Sequence, residues 1–384
     1  MSARRVNMRP RRKNILVTLG TRPEAIKLAP VLRALRRRRG LRVRVCVTAQ
    51  HRELLDQILG PLMIRPDIDL DLMRRDQAPD ALAERVLRAF RRVLDDERPD
   101  LLVVQGDTTT AAAAAWAACY RRVPVAHVEA GLRSFDPMHP FPEERNRVLI
   151  DHLSTLLFAP TRRAEENLLR EGVARANVFV TGNTAVDALA WAMRGPARGA
   201  PPRPDAEGAT ILVTLHRRES FGRPLESIFE ALLEIVRRVP EARIVYPVHP
   251  NPNVRAAARR LLRHERVRLL PPMPYLDFIG LLGRCRLVLT DSGGLQEEAA
   301  CLRKPVLVVR EATDRPEILE AGGGMLVGRE PRRIVRAALR LLRDRALYKK
   351  MARSRNPFGD GRAAERIASA IERRLARTGS RAEP

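Results

Sequence analysis

Short apolar runs that alternate with helical patterns are the feature that most constrains this chain. Ile15–Leu19 and Leu101–Gln105 are apolar runs of this kind, and each is followed by a turn and a helical pattern. A strand that is apolar at nearly every position is buried on both faces, as in a parallel sheet covered by helices. The alternation restarts at Ile211–Thr214, after the Pro-, Gly- and Arg-rich stretch Arg194–Gly208. The sequence therefore predicts two α/β domains, each with a doubly wound parallel sheet.

The other predicted strands follow the same rule. They are Val43–Thr48, Val123–Val128, Leu156–Ala159, Val178–Val180, Ile244–Pro247, Val267–Leu270, Leu287–Thr290, Val306–Val309 and Met325–Val327. Ligands of doubly wound sheets bind at the carboxyl ends of the strands. We therefore expect the two domains to face a central cleft that holds the functional site.

Breaks in this alternation predict the domain boundaries. Residues 1–13 form a basic extension that we expect to be disordered, and residues 14–190 form the first domain. Residues 191–208 are the predicted linker, and residues 209–360 form the second domain. Residues 361–384 are predicted to be a C-terminal helix that can cross back to the first domain.

The net charge is the unusual part of the composition. The 384 residues include 71 Lys and Arg against 45 Asp and Glu, which gives +26, and Arg supplies all but five of the cations. Such a surface attracts polyanions and phosphorylated substrates, although GC-rich coding would produce the same Arg bias. Aromatic residues are only 4% and do not interleave with basic ones, which argues against nucleic-acid binding as the main function.

Membrane and metal classes receive no support from the sequence. No apolar run reaches the ~18 residues needed to span a bilayer, and no signal sequence is recognisable. The cysteines Cys46, Cys119, Cys285 and Cys301 lack the spacing of a disulfide framework or a metal site, which suits a reducing cytoplasm. We expect no metal and no cofactor.

Polar residues follow several predicted strands closely. They are Asp107, Glu129, His216, His249 and Asp291. Asp107 and Asp291 could instead be helix N-caps, because small polar residues and a helical pattern follow each of them. Their spread over both halves of the chain favours an active site.

The turn Asp291-Ser292-Gly293-Gly294 leads from a strand into a helix. Backbone N–H groups at such a turn bind phosphate, and Glu298 is placed to reach ribose hydroxyls. A simple capped helix start is the alternative. The turn matches neither a dinucleotide-binding fingerprint nor a Walker motif.

Two further clusters carry charges suited to chemistry. Arg22 and Lys27, in the first turns of a predicted helix, can meet an anionic ligand, although Lys27 could simply be a solvated helix residue. Glu129 and Glu143 lie among arginines, and paired carboxylates can supply acid and base roles. A surface ion-pair network is the alternative interpretation.

Eleven segments together resemble one family, the non-hydrolysing UDP-N-acetylglucosamine 2-epimerases. The resemblance runs in the family's order from about Asn14 to about Ile371, which makes it specific. The segments are GTRPEAIKLAP, TAQHRELLDQIL, QGDTTT, HVEAGLRS, PFPEERNR, TGNTAVDAL, TLHRRESFG, YPVHPNP, LTDSGGLQEEA, TDRPE and NPFGDG.

The resemblance implies a GT-B type fold with two Rossmann-like domains. It also implies reversible conversion of UDP-GlcNAc into UDP-ManNAc, through anti elimination of UDP, a bound 2-acetamidoglucal and re-addition of UDP. The implied setting is cytoplasmic synthesis of cell-surface polysaccharide, in a homodimer and without a redox cofactor.

Site residues follow from the matching positions. The catalytic positions implied are Asp107, Glu129, Glu143 and His216. The substrate-binding positions implied are Arg22, Lys27, Phe278, Ser292, Gly293, Gly294, Glu298 and Arg315. An allosteric second UDP-GlcNAc site is implied at Gln50, His51, Arg217 and His249.

Departures from the family pattern leave the identity of the sugar open. They are Leu215, Met273, Cys301, Arg303 and the segment Gly322-Gly323-Gly324-Met325. Alternatives are an epimerase for a C3-amino or uronic-acid UDP-HexNAc, a hydrolysing epimerase, a retaining GT-B glycosyltransferase, and a catalytically silent sensor of nucleotide sugars or polyanions.

Overall fold

The computed structural model of the protein describes residues 11–49, 52–72, 74, 77–194, 209–215 and 222–379. The chain divides into two compact units. Unit 1 comprises Met1–Asp187 together with Gly361–Pro384, and unit 2 comprises Ala188–Asp360.

Unit 1 is built on a seven-stranded sheet in which all paired strands are parallel, in the order β3-β2-β1-β4-β5-β6-β7. Its strands are β1 Lys13–Leu19, β2 Leu41–Val47, β3 Ile68–Asp69, β4 Leu101–Gln105, β5 Val125–Val128, β6 Leu156–Ala159 and β7 Val178–Val180. Its helices are α1 Arg22–Arg36, α2 Arg52–Leu59, α3 Pro79–Glu97, α4 Thr109–Tyr120, α5 Glu143–Leu153, α6 Arg162–Arg170, the start of α7 Thr184–Arg194, and the C-terminal α15 Ala363–Gly379; Arg175–Asn177 is a 3-10 turn.

Unit 2 repeats this plan with six parallel strands in the order β10-β9-β8-β11-β12-β13. Its strands are β8 Ala209–Thr214, β9 Ala242–Pro247, β10 Val267–Leu270, β11 Leu287–Thr290, β12 Val306–Val308 and β13 Gly324–Leu326. Its helices are α8 Arg223–Arg238, α9 Pro252–Leu261, α10 Tyr275–Arg284, α11 Gly293–Cys301, α12 Pro316–Glu320, α13 Pro331–Arg343 and α14 Arg345–Ala352.

The strand order of each sheet reverses once. In unit 1 it reverses between β1 and β4, and in unit 2 between β8 and β11. Connections leave the two strands of such a pair in opposite directions, which opens a crevice at their carboxyl ends where ligands of α/β sheets bind. The turn after β1 begins at Gly20, and the turn after β4 begins at Gly106.

The doubly wound α/β fold predicted from the apolar runs is confirmed. Strands β4 and β6 are buried at every position, as a sheet covered on both faces requires. The predictions missed the two-residue β3, which is too short to give an apolar run. Lys13 begins β1 rather than ending the basic extension, because its backbone pairs with Leu41 of β2; its ammonium also lies 3.3 Å from Asp100.

Three predicted boundary segments fall partly outside the described residues. Residues 1–10 of the predicted basic extension and residues 380–384 of the predicted C-terminal helix are not described. Residues 191–194, assigned to the linker, are the last turn of α7, while residues 195–208 are not described.

No helix within the described part of the chain is long and apolar enough to cross a membrane.

The C-terminal helix α15 is fastened to unit 1 at its first turn. The carboxylate of Asp187 accepts hydrogen bonds from the backbone N–H groups of Ala363 at 3.2 Å and Ala364 at 2.9 Å. These N–H groups have no partner inside the helix, so a buried acceptor from α7 serves as their cap. Further along the helix, Arg38, two residues after the end of α1, donates to the Ser369 hydroxyl at 2.9 Å.

We predict that Asp187→Ala lowers the free energy of unfolding by about 1–2 kcal/mol, because two buried N–H groups lose their acceptor. Urea unfolding followed by circular dichroism measures this change. Asp96→Ala, at an exposed position of α3, is the control and should change stability by less than ~0.5 kcal/mol. Equal effects of the two substitutions would contradict the capping role of Asp187.

Candidate active site

Glu129 stands directly after β5 and is held by three hydrogen bonds. The Lys27 ammonium lies 2.7 Å from Oε1 and 2.6 Å from Oε2, and the Gln105 amide also donates to Oε2. The side chains of Lys27 and Glu129 are only 15% and 5% exposed. Lys27 is therefore not a solvated helix residue, and it brings its cation to the carboxyl end of the sheet.

The backbone of Glu129 has an unusual conformation. Its φ is 72°, in the left-handed region that non-glycine residues rarely adopt. The N–H groups of Glu129 and Ala130 both donate to the carbonyl of Phe158 at 3.1 Å. Strain of this kind persists only where the surroundings enforce it, and it is common at functional sites.

Gly131 completes the same turn for a steric reason. Its φ is +83°, and a Cβ at this position would stand 2.2 Å from the carbonyl oxygen of Ala164. Only glycine allows α6 to approach this closely. The close packing fixes the path of the chain that carries Glu129.

Asp107 follows β4 and lies at the same edge of the sheet, because β4 and β5 are neighbours. Its carboxylate accepts from Arg147 of α5, and its carbonyl accepts from Asn146 at 2.9 Å. The N-cap of α4 is Thr108, whose hydroxyl accepts from the Ala111 N–H at 3.0 Å. The capping alternative for Asp107 is therefore wrong, and its side chain pairs with a cation instead.

Glu143 is the first residue of α5, one turn before Arg147. Residues four apart share a face of a helix, so Glu143 and Arg147 lie on the same face of α5. The neighbouring Glu144 is occupied, because it accepts from the N–H groups of Ser134 and Phe135 at 3.0–3.1 Å. Among the described residues no ion pair or hydrogen bond engages the Glu143 side chain.

Arg22 opens α1, in a turn that is tied to the turn after β4. Glu24 accepts from the N–H groups of Gly20 and Thr21, and also from the hydroxyls of Thr21 and Thr108. Burial raises the pKa of Glu24, and these hydrogen bonds offset part of that rise. The link holds the two strand ends of the unit 1 crevice together.

The glycine turn of unit 2 forms the start of α11. Ser292 is the N-cap, with its hydroxyl accepting from the Leu295 N–H at 3.4 Å. The capping alternative for Asp291 is therefore also wrong. Gly293 and Gly294 are the first two residues of the helix, where N–H groups point outward from the helix end. Glu298 lies further along the same helix and is partly buried.

Other candidates in unit 2 have more varied surroundings. Phe278 is partly buried on α10, and His249 is exposed after β9. Arg315 is buried, where its guanidinium pairs with Glu297 and lies 3.4 Å from Asp314. The candidates Gln50, His51, His216 and Arg217 lie outside the described residues.

Arg147 and Gln105 are partners of the predicted carboxylates that the sequence reasoning did not single out. Arg147 lies inside the segment PFPEERNR, and its one-turn spacing from Glu143 is the signal that could have identified it. Gln105 reads as the end of an apolar strand, so no local pattern distinguishes it.

A cavity of about 630 Å³ also occurs in unit 1, between α6, β7 and α15. Its lining includes Arg162, Arg175, Arg362, Arg366 and Arg373, and none of the candidate site residues.

The chain is similar in sequence and in fold to several known proteins. The sequence profile described as UDP-N-acetylglucosamine 2-epimerase matches residues 33–372. The UDP-N-acetylglucosamine 2-epimerase of Yersinia pestis is 48% identical over 369 residues, covering 93% of this chain and 98% of that protein. The crystal structure of UDP-GlcNAc 2-epimerase from Neisseria meningitidis bound to UDP-GlcNAc has a TM-score of 0.89 at 41% identity, covering 94% of this chain and 100% of that one. The glycotransferase of kitacinnamycin, 16% identical with a TM-score of 0.68, covers 95% of this chain and 100% of that one, and is alike in fold alone.

We predict that Gly131→Ala destabilises the protein far more than Gly172→Ala. Both glycines have nearly the same φ, +83° and +84°, but nothing lies within 4 Å of a Cβ at Gly172. Gly172→Ala should therefore cost only the left-handed backbone, about 1–2 kcal/mol. Gly131→Ala adds a backbone clash and should cost at least ~2 kcal/mol more. Thermal unfolding compares the two variants, and similar losses would contradict the packing constraint on the Glu129 turn.

Proposed function

The chain belongs to the UDP-N-acetylglucosamine 2-epimerase family, and on this premise we propose that it interconverts UDP-GlcNAc and UDP-ManNAc. The protein is thus an isomerase that acts on a nucleotide sugar. The observation that carries the proposal is the pair of carboxylates at adjacent strand ends, Asp107 with Arg147 and Glu129 with Lys27.

The reaction explains why carboxylates are needed. The C2 proton of the sugar is not next to a carbonyl group, so it is weakly acidic. Breaking the C1–O bond first places positive charge on the ring, which acidifies the C2 proton and is stabilised by nearby carboxylates. UDP leaves with the bonding electron pair, the C2 proton passes to a base, and 2-acetamidoglucal remains. Re-addition of UDP with protonation of the opposite face completes the inversion.

The surroundings of the carboxylates suggest separate roles. Both oxygens of Glu129 accept hydrogen bonds from cationic or amide donors, so neither is free to carry a proton. We assign Glu129 to stabilisation of the positive ring. Asp107, whose side chain is 28% exposed, and Glu143 are assigned to proton transfer at the two faces of C2.

The departing UDP is assigned to groups that stabilise negative charge. Backbone N–H groups at Ser292, Gly293 and Gly294 suit its phosphates, and Glu298 suits the ribose hydroxyls. Arg22 and His216 are proposed to meet the diphosphate, where loss of one donor typically costs about 3–4 kcal/mol. Lys27, Phe278 and Arg315 remain proposed contacts of the substrate. Lys27 and Arg315 are held in place by their ion pairs with Glu129 and Glu297.

Wider properties of the family complete the proposal. We propose a second, activating UDP-GlcNAc site at Gln50, His51, Arg217 and His249, and a homodimer. We also propose a cytoplasmic role in cell-surface polysaccharide synthesis. The cysteines Cys46, Cys119, Cys285 and Cys301 are all free thiols, which fits a reducing compartment.

Incubation of the purified protein with UDP-GlcNAc in deuterated water tests the reaction. We expect deuterium at C2 of both UDP-GlcNAc and UDP-ManNAc, without added NAD, because the proton delivered to C2 comes from solvent. Mass spectrometry and NMR measure the label. Unlabelled UDP-GlcNAc with no new sugar would contradict the proposal. Free ManNAc would show a hydrolysing enzyme. In parallel incubations with a C3-amino or a uronic-acid UDP-HexNAc, labelling of that sugar but not of UDP-GlcNAc would show a different substrate.

We predict that Glu129→Gln lowers kcat by about 10²–10³-fold, because the positive ring loses its charge partner. Glu165→Gln is a matched control, since Glu165 is also a buried, ion-paired carboxylate of unit 1, bonded to Arg162 at 2.7 Å. Its kcat should stay within ~3-fold of the original. Steady-state kinetics on folded samples measures both variants, and equal losses would show that burial of a charge, rather than catalysis, sets the effect.

A further inference from the structure

A buried histidine joins the two strand ends that carry the proposed catalytic carboxylates. His127 lies on β5 and is fully buried. Its Nδ1 is 2.6 Å from Asp151 Oδ1, and its Nε2 is 2.8 Å from the carbonyl oxygen of Gly106. The mechanism proposed above does not use this side chain.

Both neighbours of the ring act as hydrogen-bond acceptors. The Gly106 carbonyl can only accept, so Nε2 must carry a proton. Asp151 also accepts from the Gly131 N–H at 3.1 Å and lies 2.8 Å from Arg133 Nη2, as an ionised carboxylate does. Nδ1 therefore also carries a proton, and the ring is an imidazolium.

Asp151 and Arg133 are further charged groups of this network. Burial by itself raises the pKa of Asp151, but the neighbouring His127 and Arg133 outweigh it and hold this pKa below its usual value. Arg133 also pairs with Glu171 at 2.5 Å. Two cations and two anions thus balance inside the network, as buried charges require.

The network reaches the chain beside both carboxylates. Gly106 immediately precedes Asp107, and Gly131 follows Glu129 by two residues. We propose that His127 is a positioning residue, an imidazolium clamped by Asp151, that fixes the turns carrying Asp107 and Glu129 relative to each other. The inference rests on the proposed function for its catalytic consequence.

The protonation state can be tested without any activity. Protein labelled with ¹⁵N-histidine is studied by NMR at pH 7, and His127→Gln assigns the His127 ring signals. We expect both ring nitrogens to show the shifts of protonated imidazolium. A ring with one unprotonated nitrogen would overturn the inference, whether or not the chain is an epimerase.

Two substitutions each keep one hydrogen bond of the His127 ring and remove the other. The amide nitrogen of His127→Gln can replace Nε2 and donate to Gly106, whereas that of His127→Asn can replace Nδ1 and donate to Asp151. We expect kcat to fall about 10-fold for Gln and about 100-fold for Asn. A displacement of ~1 Å at reacting groups can cost about 100-fold in rate. KM for UDP-GlcNAc should change by less than ~3-fold.

His264→Asn is the control, because His264 lies outside this network, in unit 2, where its ring accepts from the Arg266 N–H at 3.1 Å. Its kcat should remain within ~2-fold of the original. A role in stability alone would lower the folded fraction and leave kcat per folded molecule unchanged for both His127 variants, which would overturn the inference.

The two proposals fail in different ways. If the original protein is active and the His127 variants keep its kcat, only the positioning role is contradicted. An original protein that exchanges no proton at C2 would contradict the proposed function, and with it the catalytic consequence of His127.

Discussion

The ion pair between Lys27 and Glu129 is the interaction on which the site depends. It links α1, which follows β1, to the end of β5, and so it spans the strand order reversal of unit 1. Removing one partner of a buried pair typically costs 3–5 kcal/mol, because a buried charge is left uncompensated. The pair therefore fixes a carboxylate at the sheet edge.

The two units present chemically different groups at the ends of their strands. Unit 1 presents side-chain charges at its strand ends, where Arg147 pairs with Asp107 and Lys27 with Glu129. Unit 2 presents backbone N–H groups at the start of α11, with Ser292 as its cap. In the mechanism that we propose, the carboxylates stabilise the positive sugar ring and the helix N–H groups stabilise the phosphates.

The sequence was sufficient for the doubly wound fold, because buried parallel strands such as β4 leave a continuous apolar run. It also placed Asp107 and Glu129 at strand ends. It could not decide between capping and chemistry for Asp107, since the deciding cap is the hydroxyl of the next residue, Thr108. Nor could it find the contact of His127 with Asp151, because a hydrogen bond between residues 24 positions apart leaves no local pattern.

A crystal structure of this protein with UDP-GlcNAc bound is the sharpest test of the roles proposed for Asp107 and Glu129. The quantity to measure is the distance from the Asp107 and Glu129 carboxylates to C1 and C2 of the sugar. The account predicts carboxylate oxygens within about 3–4 Å of these carbons, as a reactive arrangement requires. A sugar ring held with neither carboxylate in contact with it would contradict the account.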